Sequence, residues 1–430
     1  MIVEFSVKNF RSIKELQTIS FVATGLKSSE EFSEVDNNNI ADENSMRLLK
    51  TIGIYGANAS GKSNIIKALE YFLQAIKNEP SSESHLSSLC DPFLYQENAI
   101  DTESFFQIVL FINNKKFRYG FTVKRNSKIR LNIDEKFSNE IIESEWLFGT
   151  KGKNMVELFT RNGINVKKDK ILNNEKIPAL PYEHTLFLTH SAAHDSDGDF
   201  VKIRSYIKGY TISNLTKGIE LFRFNTIQLI EKENKKNVFL ELLKTFNLQY
   251  NDIIIERDTN KPEQTVISRD KIFLKKYYHN KNNEKQDILL NLRNNESAGT
   301  QKLFDLAGLL LRAFNFTVSV FIIIDEIDSN FHPSLLIKLI SLFNNPKLNN
   351  SKSQLLFTSH DTNLMSPNIM RRDQFYFTEK NEDDSTRLYS LADLKGIRND
   401  ADFAKQYLAG FYGALPILEN YSNENTLQND

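Results

Sequence analysis

Apolar residues follow two rhythms along this chain. Short apolar runs of strand length occur at Ile2–Val7, Gln17–Val22, Ile52–Tyr55, Ser104–Asn113, Lys116–Lys124 and Ile141–Phe148. They return at Asp252–Glu256, Lys271–Tyr278, Val318–Ile324 and Gln354–Thr358. These runs are rich in Phe, Ile, Val and Tyr, which pack well on a pleated surface, and Asn113-Asn114 marks a turn. The block 104–148 therefore predicts a small antiparallel sheet. Helical spacing appears in Ile65, Ile66, Leu69, Phe72, Leu73 and Ile76, and again in Leu303, Phe304, Ala307, Leu310, Leu311 and Phe314. The polar stretch Asp36–Ser45 predicts a loop. Near Val201 the character changes, and Val238, Phe239, Leu242, Leu243 and Phe246 predict a helical insertion or lid. The chain thus divides into 1–200, 201–250 and 251–430. No heptad repeat is sustained in the helical block, which argues against a long coiled coil.

One junction between the two rhythms carries chemistry. GANASGKSN, Gly56–Asn64, joins the strand Ile52–Tyr55 to the helical run that starts at Ile65. Glycines let backbone N–H groups close around phosphate oxygens, and the following helix points its positive end at the same anion. Lys62 would reach the β- and γ-phosphates and Ser63 would ligate Mg²⁺. Gly56, Asn58, Gly61, Lys62, Ser63 and Asn64 are the candidate nucleotide contacts.

Three later segments extend this site. The continuous apolar run Val318–Ile324 reads as a buried parallel strand with Asp325 and Glu326 at its carboxyl end. Asp325 would hold Mg²⁺ through its water shell, and Glu326 would orient or deprotonate an attacking water. Gln354–Thr358 runs into Ser359-His360-Asp361, placing His360 where it would touch the γ-phosphate or that water. The three are adjacent in sequence, unlike a hydrolase triad, whose members converge from separate elements. In ESAGTQKLF, Ser297 and Gly299 head a helix; that pair suits an anion site and equally an ordinary N-cap.

Composition narrows the class. Lys plus Arg number 54 against 55 Asp plus Glu, so no global positive field recruits nucleic acid, and DNA contact would need a local patch. The single cysteine, Cys90, excludes an internal disulfide and a multi-cysteine zinc cluster. The absence of a long apolar run or a charged-then-apolar leader predicts a cytoplasmic protein with no membrane partner. His190 and His194 would share a metal only on a helix, whereas the surrounding Ser, Asp and Gly favour a loop. Leu274–Lys285 interleaves lysines with Tyr277 and Tyr278, which suits either a solvated hairpin or a nucleic-acid contact. No nuclease centre is evident.

The order of P-loop, Ser-x-Gly helix cap, Asp-Glu strand and histidine resembles the ABC-type ATPases, including their SMC, RecF and OLD-like branches. The resemblance implies an α/β, ABC-type P-loop ATPase head with an antiparallel β subdomain, using ATP and Mg²⁺. In that family Ser297 and Gly299 would close over ATP held by another subunit, in a homodimer or higher oligomer with shared sites. DEIDSNFHP resembles the family's Walker B running into its D-loop, with Asp328 at the subunit contact. MIVEFSVKNFRSI is similar to the opening of SMC- and RecF-like heads, where a basic residue approaches the nucleotide; Lys8 and Arg11 are the candidates. The Q-loop glutamine would be Gln96 or Gln107. RRDQFYFTEKN, LYSLADLKGIRND and YLAGFYGALP look like the prokaryotic RloA and abortive-infection ATPases. Their association with phage defence implies a separately encoded effector such as a TOPRIM-type nuclease. The alternative is a RecF/SMC-like DNA-maintenance ATPase.

Overall fold

The computed structural model describes residues 1–43, 46–82, 84, 86, 91–97, 101–125, 140–168, 177–195, 198–214, 220–231, 234–257, 270–315, 319–329 and 331–416. Cys90, Val318 and Asn330 lie outside them. The amino-terminal part contains β1 (Ile2–Lys8), β2 (Gln17–Ser20), α1 (Ser33–Asn39), β3 (Ile40–Glu43), β4 (Met46–Leu49), β5 (Thr51–Gly56) and α2 (Lys62–Lys77). Then follow β6 (Ser104–Ile112), β7 (Lys115–Arg125), β8 (Glu140–Lys151), β9 (Asn154–Asn162), β10 (Asn165–Lys168), α3 (Phe187–Ala192) and α4 (Asp199–Lys208). The middle holds β11 (Thr211–Asn214), α5 (Glu220–Glu231), α6 (Lys236–Thr245), β12 (Asp252–Glu256), β13 (Lys271–His279) and β14 (Lys285–Asn291). The last part comprises α7 (Ala298–Asn315), β15 (Phe321–Asp325), α8 (Pro333–Asn344), β16 (Gln354–Thr358), β17 (Phe375–Lys380), β18 (Thr386–Ser390) and α9 (Phe403–Leu408).

Among the described residues two large sheets form. The main sheet has the order β11-β15-β16-β5-β17-β18, parallel except for β18. Its central strands read as continuous apolar runs because both faces are covered. Ile52, Ile54, Phe321, Ile323 and Leu356 face one core, while Tyr55, Ile322, Ile324, Leu355 and Phe357 face the other. The second sheet, β10-β9-β8-β7-β6-β1-β2, is antiparallel throughout. It is larger than the block 104–148 predicts because β1, β2, β9 and β10 join it. Helix α2 buries its apolar stripe in the core it shares with this sheet, where Phe72 meets Phe5 edge to face and stacks on Phe121. The P-loop helix is thereby anchored over its length.

Helix α7 is shared between two cores. Leu303, Leu306 and Leu310 face the main sheet, whereas Phe304, Ala307 and Leu311 face α5, α6 and the sheet β12-β13-β14. The stretch 201–250 is largely helical, yet it also carries β11, an edge strand of the main sheet. Of the loop expected at Asp36–Ser45, residues 36–43 are instead the end of α1 followed by β3, which pairs with β4, and Asn44 and Ser45 lie outside the described residues. Its polar residues serve tertiary contacts: the buried Asn39 amide donates to the Ile369 carbonyl at 2.9 Å and to Gln374 Oε1 at 2.8 Å. The strand expected from Val318 begins at Phe321. Leu274–Lys285 forms most of the exposed β13–β14 hairpin.

Candidate functional site

Strand β5 lies between β16 and β17, so its carboxyl end opens beside the ends of both. Gly56 and Gly61 hold φ of 149° and 106°, in the region that disfavours a side chain. A Cβ at Gly56 would lie 2.3 Å from the Thr378 carbonyl oxygen, and one at Gly61 would lie 2.0 Å from Thr386 Oγ1. The glycines thus let the loop press against the β17–β18 hairpin as well as approach a phosphate.

Hydroxyls then fix the loop from outside. Ser60 Oγ and Thr378 Oγ1 are 2.6 Å apart, and Thr386 Oγ1 donates to the Ser60 carbonyl at 3.1 Å. Ser12 Oγ lies 2.7 Å from Thr386 Oγ1 and accepts from Asn64 Nδ2 at 2.7 Å. The turn after β1 is therefore bonded directly to the first turn of α2. Asn58 is exposed at the tip of the loop.

Lys62 is 7% exposed, and its Nζ donates to the Gly56 carbonyl at 2.8 Å and the Ala57 carbonyl at 2.9 Å. Burial pushes its pKa down to about 8, against the opposing pull of Asp325, Asp328 and Glu326.

Strand β15 delivers the acids. Asp325 Oδ1 accepts from Thr358 Oγ1 at 2.6 Å and from Ser63 Oγ at 3.3 Å, so the carboxylate and the P-loop hydroxyl share one point. One hydroxyl and one carboxylate are the hard oxygen donors that suit Mg²⁺, whose remaining positions go to phosphates and water. Glu326 follows with φ of 53°, and its N–H donates to Thr358 Oγ1 at 2.7 Å. His360 sits at the surface beyond β16, and its backbone N–H donates to Asp328 Oδ2 at 3.1 Å. Partial burial and the charge of Lys62 lower its pKa, against the opposing pull of Asp328, Glu326 and Asp325. Lys62, Asp325, Glu326 and His360 are thus brought to one end of the sheet.

Other expected residues stand apart or are engaged. Ser297 is exposed at the start of α7, where Oγ accepts the Thr300 N–H at 3.2 Å and the Ser297 carbonyl accepts from Gln301 N–H at 3.0 Å; Gly299 is in the first turn. Its partners lie within its own helix. The Arg11 guanidinium pairs with the Asp91 carboxylate at 3.4 Å and the Arg11 backbone N–H donates to the Asp91 carbonyl at 2.7 Å, one residue short of the Ser12 contact. Lys8 pairs with Glu15 at 3.8 Å. Gln107 sits on β6 and accepts from Trp146 Nε1 at 3.2 Å, whereas Gln96 lines a surface groove of about 460 Å³ with Lys8 and Lys14. His190 Nε2 contacts the Pro178 carbonyl at 3.0 Å, and no metal-binding group of three His, Cys, Asp or Glu side chains occurs among the described residues.

Thr358, Thr378, Thr386 and Ser12 are the residues that sequence reasoning misses. The hydroxyl of Thr358 at the end of an apolar strand is the one available signal, and it acquires meaning only when β16 is placed beside β15. No helix among the described residues is long and apolar enough to cross a membrane.

A family profile described as "AAA domain, putative AbiEii toxin, Type IV TA system" matches residues 52–366. Among solved structures, the recombination mediator protein RecF-ATPrS in the RecFOR pathway is similar at 14% identity, covering 90% of this chain and 98% of that chain with a TM-score of 0.33. No curated protein matches the chain.

Proposed function

The chain belongs to this AAA-domain family, and from that premise we propose an Mg²⁺-dependent ATPase, sharing its ATP sites between copies, that controls a separately encoded effector in anti-phage defence. The observation that carries the ATPase reading is the convergence of Ser63 Oγ and Thr358 Oγ1 on Asp325 Oδ1, with Lys62 and Glu326 beside them. ATP with Mg²⁺ would supply the phosphoanhydride and the neutralising cation. The P-loop N–H groups and Lys62 would bind the phosphates, and Ser63 with Asp325 would hold the metal. Glu326 would take the proton of the attacking water, and His360 would position it.

Sharing of sites is supported by Ser297 standing exposed at the start of α7, a helix end that offers free N–H groups to a neighbour. The defence role is supported by the family's description as an AbiEii toxin of a type IV system, and by the lack of an evident nuclease centre in the chain.

The test uses the Glu326→Gln chain expressed with its neighbouring genes, purified with ATP and Mg²⁺ and weighed by native mass spectrometry. An oligomer that holds ATP, fails to release phosphate and carries a second protein is expected. Undiminished phosphate release would remove Glu326 from its role. A bare oligomer that retains DNA would favour DNA maintenance. Mixing Ser297→Arg with Lys62→Ala chains should restore part of the activity; no recovery at any ratio counts against shared sites.

A further inference from the structure

Among the described residues the sheet β12-β13-β14 ends on one side at β14, which is seven residues long, contains no proline and keeps a single register against β13 from Lys285 to Asn291. The Leu292 N–H donates to the Ile272 carbonyl at 2.9 Å, which fixes the phase of this antiparallel ladder. Hydrogen-bonded and non-hydrogen-bonded pairs alternate along it, so the N–H and C=O groups of Lys285, Asp287 and Leu289 point away from β13. Ile288 and Leu289 stand on opposite faces of the strand and are 45% and 47% exposed. Sheet edges are ordinarily blunted by charge, proline or a bulge. Lys285 does this at one end of β14, but the run Ile288-Leu289-Leu290 carries none of these devices.

Charge selects what such an edge accepts. Residues 271–287 hold five lysines against two acids, Glu284 and Asp287. Asp287 is engaged by Lys275, and Glu284 accepts from Asn280 Nδ2 at 2.8 Å. Lys276 and Lys285 rest over the rings of Tyr250 and Tyr277, at 4.7 and 3.8 Å from their centroids, rather than on carboxylates. The excess of lysine opposes a second copy of the same strand and favours acidic side chains opposite it. A nucleic acid would stack on open aromatic faces, whereas Tyr277 already carries Lys285 and, at 5.6 Å, Lys275. Outward backbone groups beside aliphatic side chains suit a polypeptide strand. We propose that β14 is a docking edge for an extended segment of a partner protein in which acidic and apolar residues alternate, added to this sheet as a fourth strand.

The edge is tied closely to α7. The Asn295 N–H donates to the Asn291 carbonyl at 2.8 Å, and the Asn291 N–H donates back to Asn295 Oδ1 at 2.8 Å. Gln301 Nε2, from the first turns of α7, donates to the Glu296 carbonyl at 3.1 Å. A strand docked on β14 therefore bears on the turn that presents Ser297. Carried by the effector proposed above, it would couple that protein to the ATP sites. This consequence rests on the ATPase reading, whereas the docking edge does not.

The edge is tested on the full chain by fluorescence anisotropy with a labelled octapeptide that alternates glutamate and valine. The peptide should occupy one saturable site per chain, and a lysine–valine counterpart should bind at least about tenfold more weakly. Methylating alternate amide nitrogens of the peptide, on the side that would face β14, should abolish binding. Leu289→Pro removes an outward N–H and no bond of the β13–β14 ladder, so it should abolish binding with the melting temperature preserved. Lys285→Glu should weaken the acidic peptide by about tenfold in a chain whose ladder is untouched. No binding of the acidic peptide, equal binding of the lysine peptide, or wild-type affinity in both folded variants would overturn the proposal. Tighter binding of an oligothymidylate would reassign the hairpin to nucleic acid, and a dimer in sedimentation that excludes the peptide and is lost in Leu289→Pro would reassign it to a second copy. Saturating peptide should change phosphate release at least about twofold in wild type and not in Leu289→Pro. Binding without that change removes the coupling alone, and absence of phosphate release in every chain refutes the ATPase reading while the binding result stands.

Discussion

Thr358 donates its hydroxyl to Asp325 Oδ1 at 2.6 Å and accepts the Glu326 N–H at 2.7 Å, so one buried side chain holds both acids at the end of β15. The Thr358 carbonyl also accepts the Ile327 N–H at 3.0 Å. Together these bonds hold Glu326 at its φ of 53°, a left-handed conformation that costs a non-glycine residue about 1–3 kcal/mol. Thr358→Val keeps the shape and removes the hydroxyl, which costs the Glu326 N–H its acceptor, at about 1–3 kcal/mol, and Asp325 one of its donors. Phosphate release should fall by roughly ten- to a hundredfold, a ΔΔG‡ of about 1.4–2.7 kcal/mol, while Thr358→Ser retains most of it. Equal rates for wild type and Thr358→Val would remove this residue from the mechanism.

The buried ammonium of Lys62 sets a pH dependence. Its pKa is pushed down to about 8 in the folded chain from the ordinary 10.5. Below pH 8 both folded and unfolded chains hold the proton, and the cost of burying the charge is constant. Between about 8 and 10.5 the unfolded chain holds more protons, so this group's contribution to stability rises with pH. Nucleotide binding runs the other way, because phosphate favours the ammonium. Affinity for a fluorescent ATP analogue should decline as pH rises through about 8, with proton uptake on binding visible by calorimetry in buffers of different ionisation enthalpy. A flat profile that persists in Lys62→Arg would show that the proton is not involved.

Gly61 tests the clamp on the loop. A Cβ there would lie 2.0 Å from Thr386 Oγ1, and the residue holds φ of 106°. Gly61→Ala should abolish nucleotide binding by forcing the β18 side of the clamp away. Adding Thr386→Ala removes the clash but not the backbone strain, about 1–3 kcal/mol, so recovery should be partial. Full recovery in the double variant would mean that the clash alone matters, and tight binding by Gly61→Ala would dismiss the clamp.

What could be read from the chain was local. The P-loop, the Asp325-Glu326 strand end and His360 each announce themselves within a few residues, and the central strands show as apolar runs because both faces of the main sheet are covered. Thr386 and Ser12 meet across 374 residues of sequence, and Thr358 reaches Asp325 only because β16 lies parallel beside β15. No neighbouring residue advertises such contacts. Polarity at Asp36–Ser45 suggests solvation, whereas Asn39 is buried and bonded to Gln374. β11 is short and follows α4 closely, so helical spacing around it masks a strand whose pairing is with β15.

Glu145 and Arg161 test the antiparallel sheet independently of the nucleotide. Their side chains are fully buried and paired at 3.2 Å. Glu145 also accepts the N–H groups of Phe187 and Leu188, at the start of α3, and the hydroxyl of Tyr119. Arg161 in turn donates to the carbonyls of Thr185 and Glu183. Removing one partner leaves an uncompensated buried charge, so Arg161→Leu should destabilise the chain by about 3–5 kcal/mol. Replacing a buried pair by two apolar residues is often close to neutral, but here it would also strand two helix N–H groups, one hydroxyl and the carbonyls of Thr185, Glu183 and Gly163. Glu145→Leu combined with Arg161→Leu should therefore remain destabilised, read as a lower urea midpoint at unchanged slope. A double variant as stable as wild type would show that these backbone groups find water or new partners, and that the pair does not fix α3 against the sheet.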